Sequence, residues 1–317
     1  MKDINRNHNS PWKIIRFLAI ALPLSWLIWN YGLKVYAVEE PVTAAPSDCQ
    51  GTTRFALIGD FGDAGQAEAS MAALVDSWDV DFIATVGDNN YPAGEASTID
   101  QNVGQYFHSY IHPYQGSYGP GAAENRFFPA LGNHDWRTDR AQPYFDYFTL
   151  PGNERYYDLE RGPVHLFIVD SDPNEPDGRT RDSVQAVWLR DQLAAADAPW
   201  RLVLMHHSPY SSSLKRGPDE DMQWPFAEWG ATAVLSGHDH LYERLQAEGI
   251  PYFINGLGGR SNINRFFGSQ PESVVRYNRD FGAMLITADD TCLNFSFYSV
   301  TYELIDSLTL YKGVPGK

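Results

Sequence analysis

Five apolar runs in this 317-residue chain each end in a short polar signature, and no other feature limits the fold so strongly. The runs are 54–58, 81–86, 127–131, 201–205 and 231–235. Behind them stand Gly59-Asp60-Phe61-Gly62, Gly87-Asp88-Asn89-Asn90-Tyr91, Gly132-Asn133-His134-Asp135, His206-His207-Ser208-Pro209 and Gly237-His238-Asp239-His240. Short apolar runs bounded by turn residues predict strands. In open α/β sheets, sites form in the crevice outside the carboxyl ends of the strands. Five such ends predict that Asp, Asp, Asn, His and a His-x-His pair meet in one place.

Taken singly, each signature has an ordinary reading. Gly-Asp after a strand is common turn chemistry, and Asn-His-Asp serves as a helix cap or turn. Together, in this order and strand context, they predict a site for two metal ions. Two ions a few Å apart need a bridging carboxylate, with imidazole and amide ligands to balance charge. Imidazole and carboxylate suit iron, zinc and manganese. The flanking glycines let the backbone turn sharply and approach the ions closely.

Further strand-like runs at 164–169 and 251–254 complete a set of seven, with helical patterns between several of them. In 66–78, Met71, Leu74, Val75 and Trp78 fall on one helix face; in 182–195, Val184, Val187, Trp188 and Leu193 do so. The last fifty residues read differently. Runs 281–287, 292–301 and 307–311 follow one another with short connections, an antiparallel closing edge. The fold class that follows is α/β (α+β), mixed sheets flanked by helices. No internal repeat interrupts residues 49–317, which read as one catalytic domain.

The first 48 residues are of another kind. Lys2, Arg6, Lys13 and Arg16 precede an apolar run from 17 to 33, and Val35-Tyr36-Ala37 follows as a small-residue cleavage pattern. This predicts an export signal over 1–37, with 38–48 as a linker. The run is 17 residues long and holds Pro23 and Asn30, where an uncleaved span needs about 20 apolar residues. An uncleaved membrane anchor with the catalytic domain outside the cytosol is the alternative, and a buried cytosolic helix the third. Five Lys/Arg and one Asp leave with 1–37, so 24 basic residues become 19, 40 acidic become 39, and the net charge is −20. Such a surface repels polyanions, so nucleic acid is not an expected partner. Cys49 and Cys292 lie near opposite ends of the domain. They either form a disulfide, as an exported protein permits, or stand as two separate buried thiols.

The signatures GDFG, GDNNY, GNHD, HHSP and GHDHLYER resemble those of the calcineurin-type metallophosphoesterases, from about Phe55 to about Gly259. That superfamily usually carries a histidine two residues after the first aspartate. Here the position is Gly62, and Tyr91 stands three residues after Asp88. This exchange is similar to the purple acid phosphatases, in which tyrosinate binds ferric iron, and to their small, single-domain, tartrate-resistant type. The resemblance implies a four-layer αββα sandwich of two mixed sheets and the hydrolysis of small phosphate monoesters. It implies Fe(III) held by Asp60, Tyr91 and His240, a divalent ion (Fe, Zn or Mn) held by Asn133, His207 and His238, and Asp88 bridging them. His134 would stand near the substrate phosphate as hydrogen-bond donor or general acid.

Two departures from the family pattern bear on the site. His206 and His207 are adjacent, and on a strand their side chains point to opposite faces, so only one is a ligand. The His-x-Pro spacing favours His207. Nine residues on, the small mammalian-type enzymes carry a His-Gly-Pro; here it is Arg216-Gly217-Pro218. Arginine does not give up a proton near neutral pH, but it holds phosphate bidentately, so Arg216 is either a substrate contact or a solvated loop residue. The segments 106–118 and 171–181 are expected to border the cleft, with His108 and His112 as ordinary surface residues and Glu243 and Arg244 as support. The alternatives to a phosphomonoesterase are a metal-dependent phosphodiesterase or nucleotide hydrolase, and an exported metal- or phosphate-binding module without turnover. The sequence leaves the physiological substrate and the oligomeric state open.

Overall fold

The computed structural model describes residues 49, 51–260, 262–268 and 270–312. The expected export segment 1–37 and linker 38–48 lie outside these residues. Among the described residues, no helix is long and apolar enough to cross a membrane.

One sheet has six strands: β1 (Thr53–Ile58), β2 (Phe82–Thr85), β3 (Phe127–Pro129), β11 (Gly282–Ala288), β12 (Cys292–Ser299) and β13 (Leu304–Tyr311). Their order is β13-β12-β11-β1-β2-β3. The strands β1, β2 and β3 run parallel, and β11 joins β1 antiparallel. The other sheet has seven: β4 (Tyr157–Arg161), β5 (Val164–Ile168), β6 (Trp200–Leu204), β7 (Ala233–Ser236), β8 (Tyr242–Ala247), β9 (Ile250–Asn255) and β10 (Ser273–Tyr277). Its order is β10-β8-β9-β7-β6-β5-β4, with β5, β6, β7 and β9 parallel.

Alternation along the parallel strands builds the layers. Val164, Leu166 and Ile168 of β5, Leu202 and Leu204 of β6, and Ala233 and Leu235 of β7 share a core with Phe55, Leu57 and Ile83 of the first sheet. Their neighbours Phe167, Val203, Met205 and Val234 face a second core, with Trp224 and Phe226. That core is roofed by helix α2 (Val184–Ala195) through Ala186, Leu189 and Leu193. Helix α1 (Gln66–Asp76) covers the first sheet with Met71, Leu74 and Val75. The result is the αββα sandwich. A one-residue slip of β6 would exchange its two faces. Each fully buried side chain is worth roughly 1.5–3 kcal/mol, so burial sets the register.

One helix face differs from the sequence expectation. Val184 and Val187 of α2 are 63% and 39% exposed, and the buried side is Gln185, Ala186, Leu189 and Leu193. The cause is a polar clamp. Gln185 Oε1 accepts from Asp170 N at 2.6 Å and its Nε2 donates to Asp170 O at 2.9 Å, which turns this side of the helix inward. Ser183 caps the helix, accepting from Ala186 N at 3.2 Å. Cys49 and Cys292 form a disulfide with Cα atoms 5.7 Å apart, tying the start of the domain to the start of β12.

Candidate metal centre

The loops after β1, β2, β3, β6 and β7 meet at one end of the inter-sheet core. Three residues there hold left-handed backbone: Asp60 (φ 54°), Asp88 (φ 55°) and His238 (φ 67°). Such conformations cost about 1–3 kcal/mol each and cluster at functional sites. Gly87 precedes Asp88 at φ +88°, and a Cβ there would lie 2.8 Å from His206 Nδ1, so only glycine fits beneath that ring.

Asp60, Asp88, Tyr91 and His240 form the first group. The Tyr91 hydroxyl is 2.8 Å from Asp88 Oδ2, 3.1 Å from Asp60 Oδ1 and 3.4 Å from His240 Nε2. His240 Nε2 is 3.3 Å from Asp60 Oδ1. Gly62, where the broader superfamily carries a histidine, has no room for a side chain: a Cβ would fall 1.7 Å from Asn89 O. The segment leading to Tyr91 occupies that space, and Tyr91 N donates to Gly62 O at 2.6 Å.

The second group gathers on His206. Its Nε2 lies 3.0 Å from His238 Nδ1, 3.2 Å from Asn133 Oδ1 and 3.4 Å from Asp88 Oδ2, while Nδ1 is held 2.8 Å from Val86 O. The sequence expectation named His207 here, and the placement differs. His206 continues the parity of Leu202 and Leu204, which face the other sheet, whereas His207 continues that of Val203 and Met205. Its Nδ1 lies 2.9 Å from Ser171 Oγ, and its ring lines a cleft of about 350 Å³ with Ser208, Arg216 and His238.

Electrostatics separate these groups. Burial by itself raises the Asp88 carboxyl, but the charge and contact of His206, with His134, outweigh it and hold Asp88 well below the usual carboxylate range. Burial likewise lowers His206, yet the Asp88 and Asp60 carboxylates push it up to about 9. Burial, then the charge of His206, holds His238 and His207 well below the usual histidine range. Burial and the charges of Asp60 and Asp88 push the Tyr91 phenol well above its own.

This donor set fits metal ions. Asp60 and Asp88 are fully buried together, an arrangement costly without cations to offset it. Neighbouring donor atoms stand 2.8–3.4 Å apart, as in Tyr91–Asp88, His206–His238, His206–Asp88 and His240–Asp60. That is the edge length of a coordination shell whose bonds are about 2.0–2.2 Å.

The chain matches the model of the calcineurin-like phosphoesterases over residues 53–242. The chain belongs to the calcineurin-like phosphoesterase family. Among its relatives, it is 26% identical over 296 residues to purple acid phosphatase 17 of Arabidopsis thaliana, covering 82% of this chain and 85% of that protein. It is 27% identical over 253 residues to tartrate-resistant acid phosphatase type 5 of Homo sapiens, covering 67% and 76%. A purple acid phosphatase from yellow lupin (Lupinus luteus) seeds shares the fold, with a TM-score of 0.66 at 21% identity, covering 84% of this chain and 55% of that one.

The remaining residues of this phosphoesterase sort by contact. His134 lies beside the first group: its N donates to Asp88 Oδ1 at 2.7 Å, its Nδ1 is 2.6 Å from Pro92 O, and its ring tilts on Tyr91 at 4.3 Å. Arg216 Nη1 donates to His238 O at 2.5 Å and lies 2.7 Å from His238 Nδ1. Glu243 accepts from Ser212 N, Ser212 Oγ and Ser273 Oγ, and Arg244 pairs with Asp306 at 2.7 Å, so both support the fold. The 171–181 loop joins the cleft through Ser171 and through Arg179, which pairs with Asp219 and Asp221. The 106–118 insert instead closes over Asp100, which accepts from Tyr114 and Ser117. His108 and His112 bind the carbonyls of Gly104 and Ala122. Two residues gain a role that the sequence did not assign them: His206, expected to be packed beside the ligand His207, and Ser171, expected only as part of the 171–181 loop at the cleft. The parity of β6 is the signal for the first; for the second the sequence marks the loop but not the side chain.

Proposed function

We propose that this chain is a metal-dependent phosphatase that hydrolyses small phosphate monoesters at a dinuclear centre held by Asp60, Asp88, Tyr91, Asn133, His206, His238 and His240. The observation that carries the reading is the convergence of six further donors near Asp88, whose Oδ2 faces both Tyr91 of the first group and His206 of the second. Tyr91 favours Fe(III) in the first position, with a divalent iron, zinc or manganese ion in the second. Bound there, the ions supply Lewis-acid chemistry, neutralising charge on the phosphoryl oxygens and acidifying water.

The chain's own residues do the rest. Before any ion binds, and against the burial that would raise it, the charge and contact of His206 hold Asp88 well below the usual carboxylate range, so it would meet the ions as a carboxylate. His134 is oriented by Pro92 O, with Nε2 3.9 Å from Asp88 Oδ2, beside the reacting phosphate. Arg216 walls the cleft and offers guanidinium N–H groups to phosphate oxygens. His238 Nδ1 could serve either Arg216 or an ion; with an ion there, Arg216 Nη1 would keep its bond to His238 O and its other N–H groups would be left for the substrate. Asp219, Glu220 and Asp221 on the cleft rim disfavour polyanionic leaving groups such as nucleic acid. Residues 49–317 form the catalytic domain, exported or anchored by the N-terminus outside the cytosol; the Cys49–Cys292 disulfide supports an oxidising compartment.

Turnover of p-nitrophenyl phosphate against bis(p-nitrophenyl) phosphate tests this. The monoester should be hydrolysed with the higher kcat/KM, chelation should abolish the activity, and iron with zinc or manganese should restore it. Preference for the diester, or phosphate binding without turnover, would overturn the reading.

A further inference from the structure

Ser171 and His207 stand outside the ligand set yet are built into the cleft wall. Ser171 follows Asp170, whose Oδ2 accepts from Trp136 Nε1 at 2.9 Å and whose backbone is clamped by Gln185. Ser171 is fully buried. His207 N donates to its Oγ at 2.8 Å, and the same Oγ lies 2.9 Å from His207 Nδ1. A hydroxyl has one proton and two lone pairs. The backbone N–H takes one lone pair, and among the described residues the only acceptor for the hydroxyl proton is His207 Nδ1. Reversing that bond would leave the buried hydroxyl proton without a partner, which costs about 1–3 kcal/mol. Nδ1 is therefore the acceptor, and the neutral ring carries its proton on Nε2. No described protein atom hydrogen-bonds Nε2, and it is not among the sealed, unpartnered atoms of the interior. The ring lines the cleft with Arg216 and packs 4.2 Å from the ring of His238.

His134 is set the opposite way. Its Nδ1, 2.6 Å from the carbonyl of Pro92, must hold the proton, so its neutral Nε2 can only accept. His207, in the cleft wall, thus presents a donor, and His134, beside Asp88 and Tyr91, presents an acceptor.

We propose that His207 is a substrate-binding residue, donating a hydrogen bond from Nε2 to a non-bridging or leaving-group oxygen of the phosphate ester, and that Ser171 is the positioning residue that keeps the proton on that nitrogen. The proposal rests on His206, not His207, being the ligand of the proposed centre, and the test separates the two. Four variants are compared: His207→Ala, His207→Gln, Ser171→Ala and Ser171→Thr, with His206→Ala as the ligand control. Three quantities are read: metal per chain by elemental analysis, the Kd for inorganic phosphate by calorimetry, and kcat/KM for an aryl phosphate.

His207→Ala should keep the wild-type metal content while phosphate affinity and kcat/KM fall about ten- to a hundredfold, the range for a hydrogen bond to a charged group. His207→Gln, which places an amide N–H where Nε2 stood, should recover part of that loss. Ser171→Ala should lose several-fold with metal retained, and Ser171→Thr, which keeps the hydroxyl, should restore it. His206→Ala should lose metal. Loss of a metal equivalent in His207→Ala, with both retained in His206→Ala, would overturn the ligand reading and the proposal together. Intact metal with unchanged phosphate affinity and kcat/KM in His207→Ala would overturn the proposal alone.

Discussion

Tyr91 sits between two carboxylates, 2.8 Å from Asp88 and 3.1 Å from Asp60, where a phenol serves as donor and a phenolate is repelled. Burial and those two charges raise its ionisation well above the usual range, so it becomes tyrosinate only against a strong cation. Oxidised, iron-loaded protein should therefore absorb broadly in the visible, and Tyr91→Phe should remove the band with the far-ultraviolet dichroism unchanged. A colourless wild type, fully active with zinc alone, would contradict the ferric assignment. Arg216 gives a second test at this scale. Arg216→Ala should raise KM about ten- to a hundredfold with a smaller change in kcat, since the contact it removes is a charge-assisted one made in the bound state. An unchanged KM would make it a bystander. The proposed site residues stand out in the sequence because each sits at a fixed offset from an apolar run. The sequence favours His207 because the His-x-Pro spacing follows the loop, whereas the side chain follows the strand and places His206 beside Asn133 and His238.

At the scale of elements, β6 and β7 deliver three histidines of opposed character to one place. His206 is pushed up to about 9 by the carboxylates, so its contribution to stability is present below the ordinary value of 6.5 and is lost as pH rises from 6.5 towards 9. His207 and His238 are held well below 6.5, so theirs is present above 6.5 and lost as pH falls beneath it. For these three groups, metal-stripped protein should be most stable near pH 6.5, and His206→Asn should flatten the alkaline limb. Urea midpoints at pH 5.5, 6.5 and 9 check this, and an alkaline limb unchanged in the variant would contradict it. The strands the sequence did not announce have a physical signature of their own. β4 and β10 are the two edges of the seven-stranded sheet, and β8 lies next to one of them. Edge strands lack cover on one side, so YDLER and SVVRY carry too many polar residues to read as apolar runs. The buried face of α2 was hidden for a related reason: Gln185, a polar residue, is fully buried because Asp170 and Gly178 satisfy it.

Across the whole molecule, the disulfide joins residues 243 apart in sequence. A loop of that size restricts the unfolded chain strongly, so Cys49→Ser with Cys292→Ser should lower unfolding stability by roughly 2–4 kcal/mol. The metal centre is far from Cys292 in the chain's architecture, on the loops after β1, β2, β3, β6 and β7, so the variant should keep its metal content and kcat. A denaturant midpoint equal to wild type would show that the bridge restrains nothing. The sandwich brings five strand ends together, and the proposed centre there binds two ions shared by Asp88. Metal content per folded chain, measured by elemental analysis on protein that turns over an aryl phosphate, tests that most directly. The expected result is two ions per chain, one of them iron, with both the ions and the turnover lost in Asp88→Ala; full activity with one ion or none, or near-normal turnover in Asp88→Ala, would contradict it.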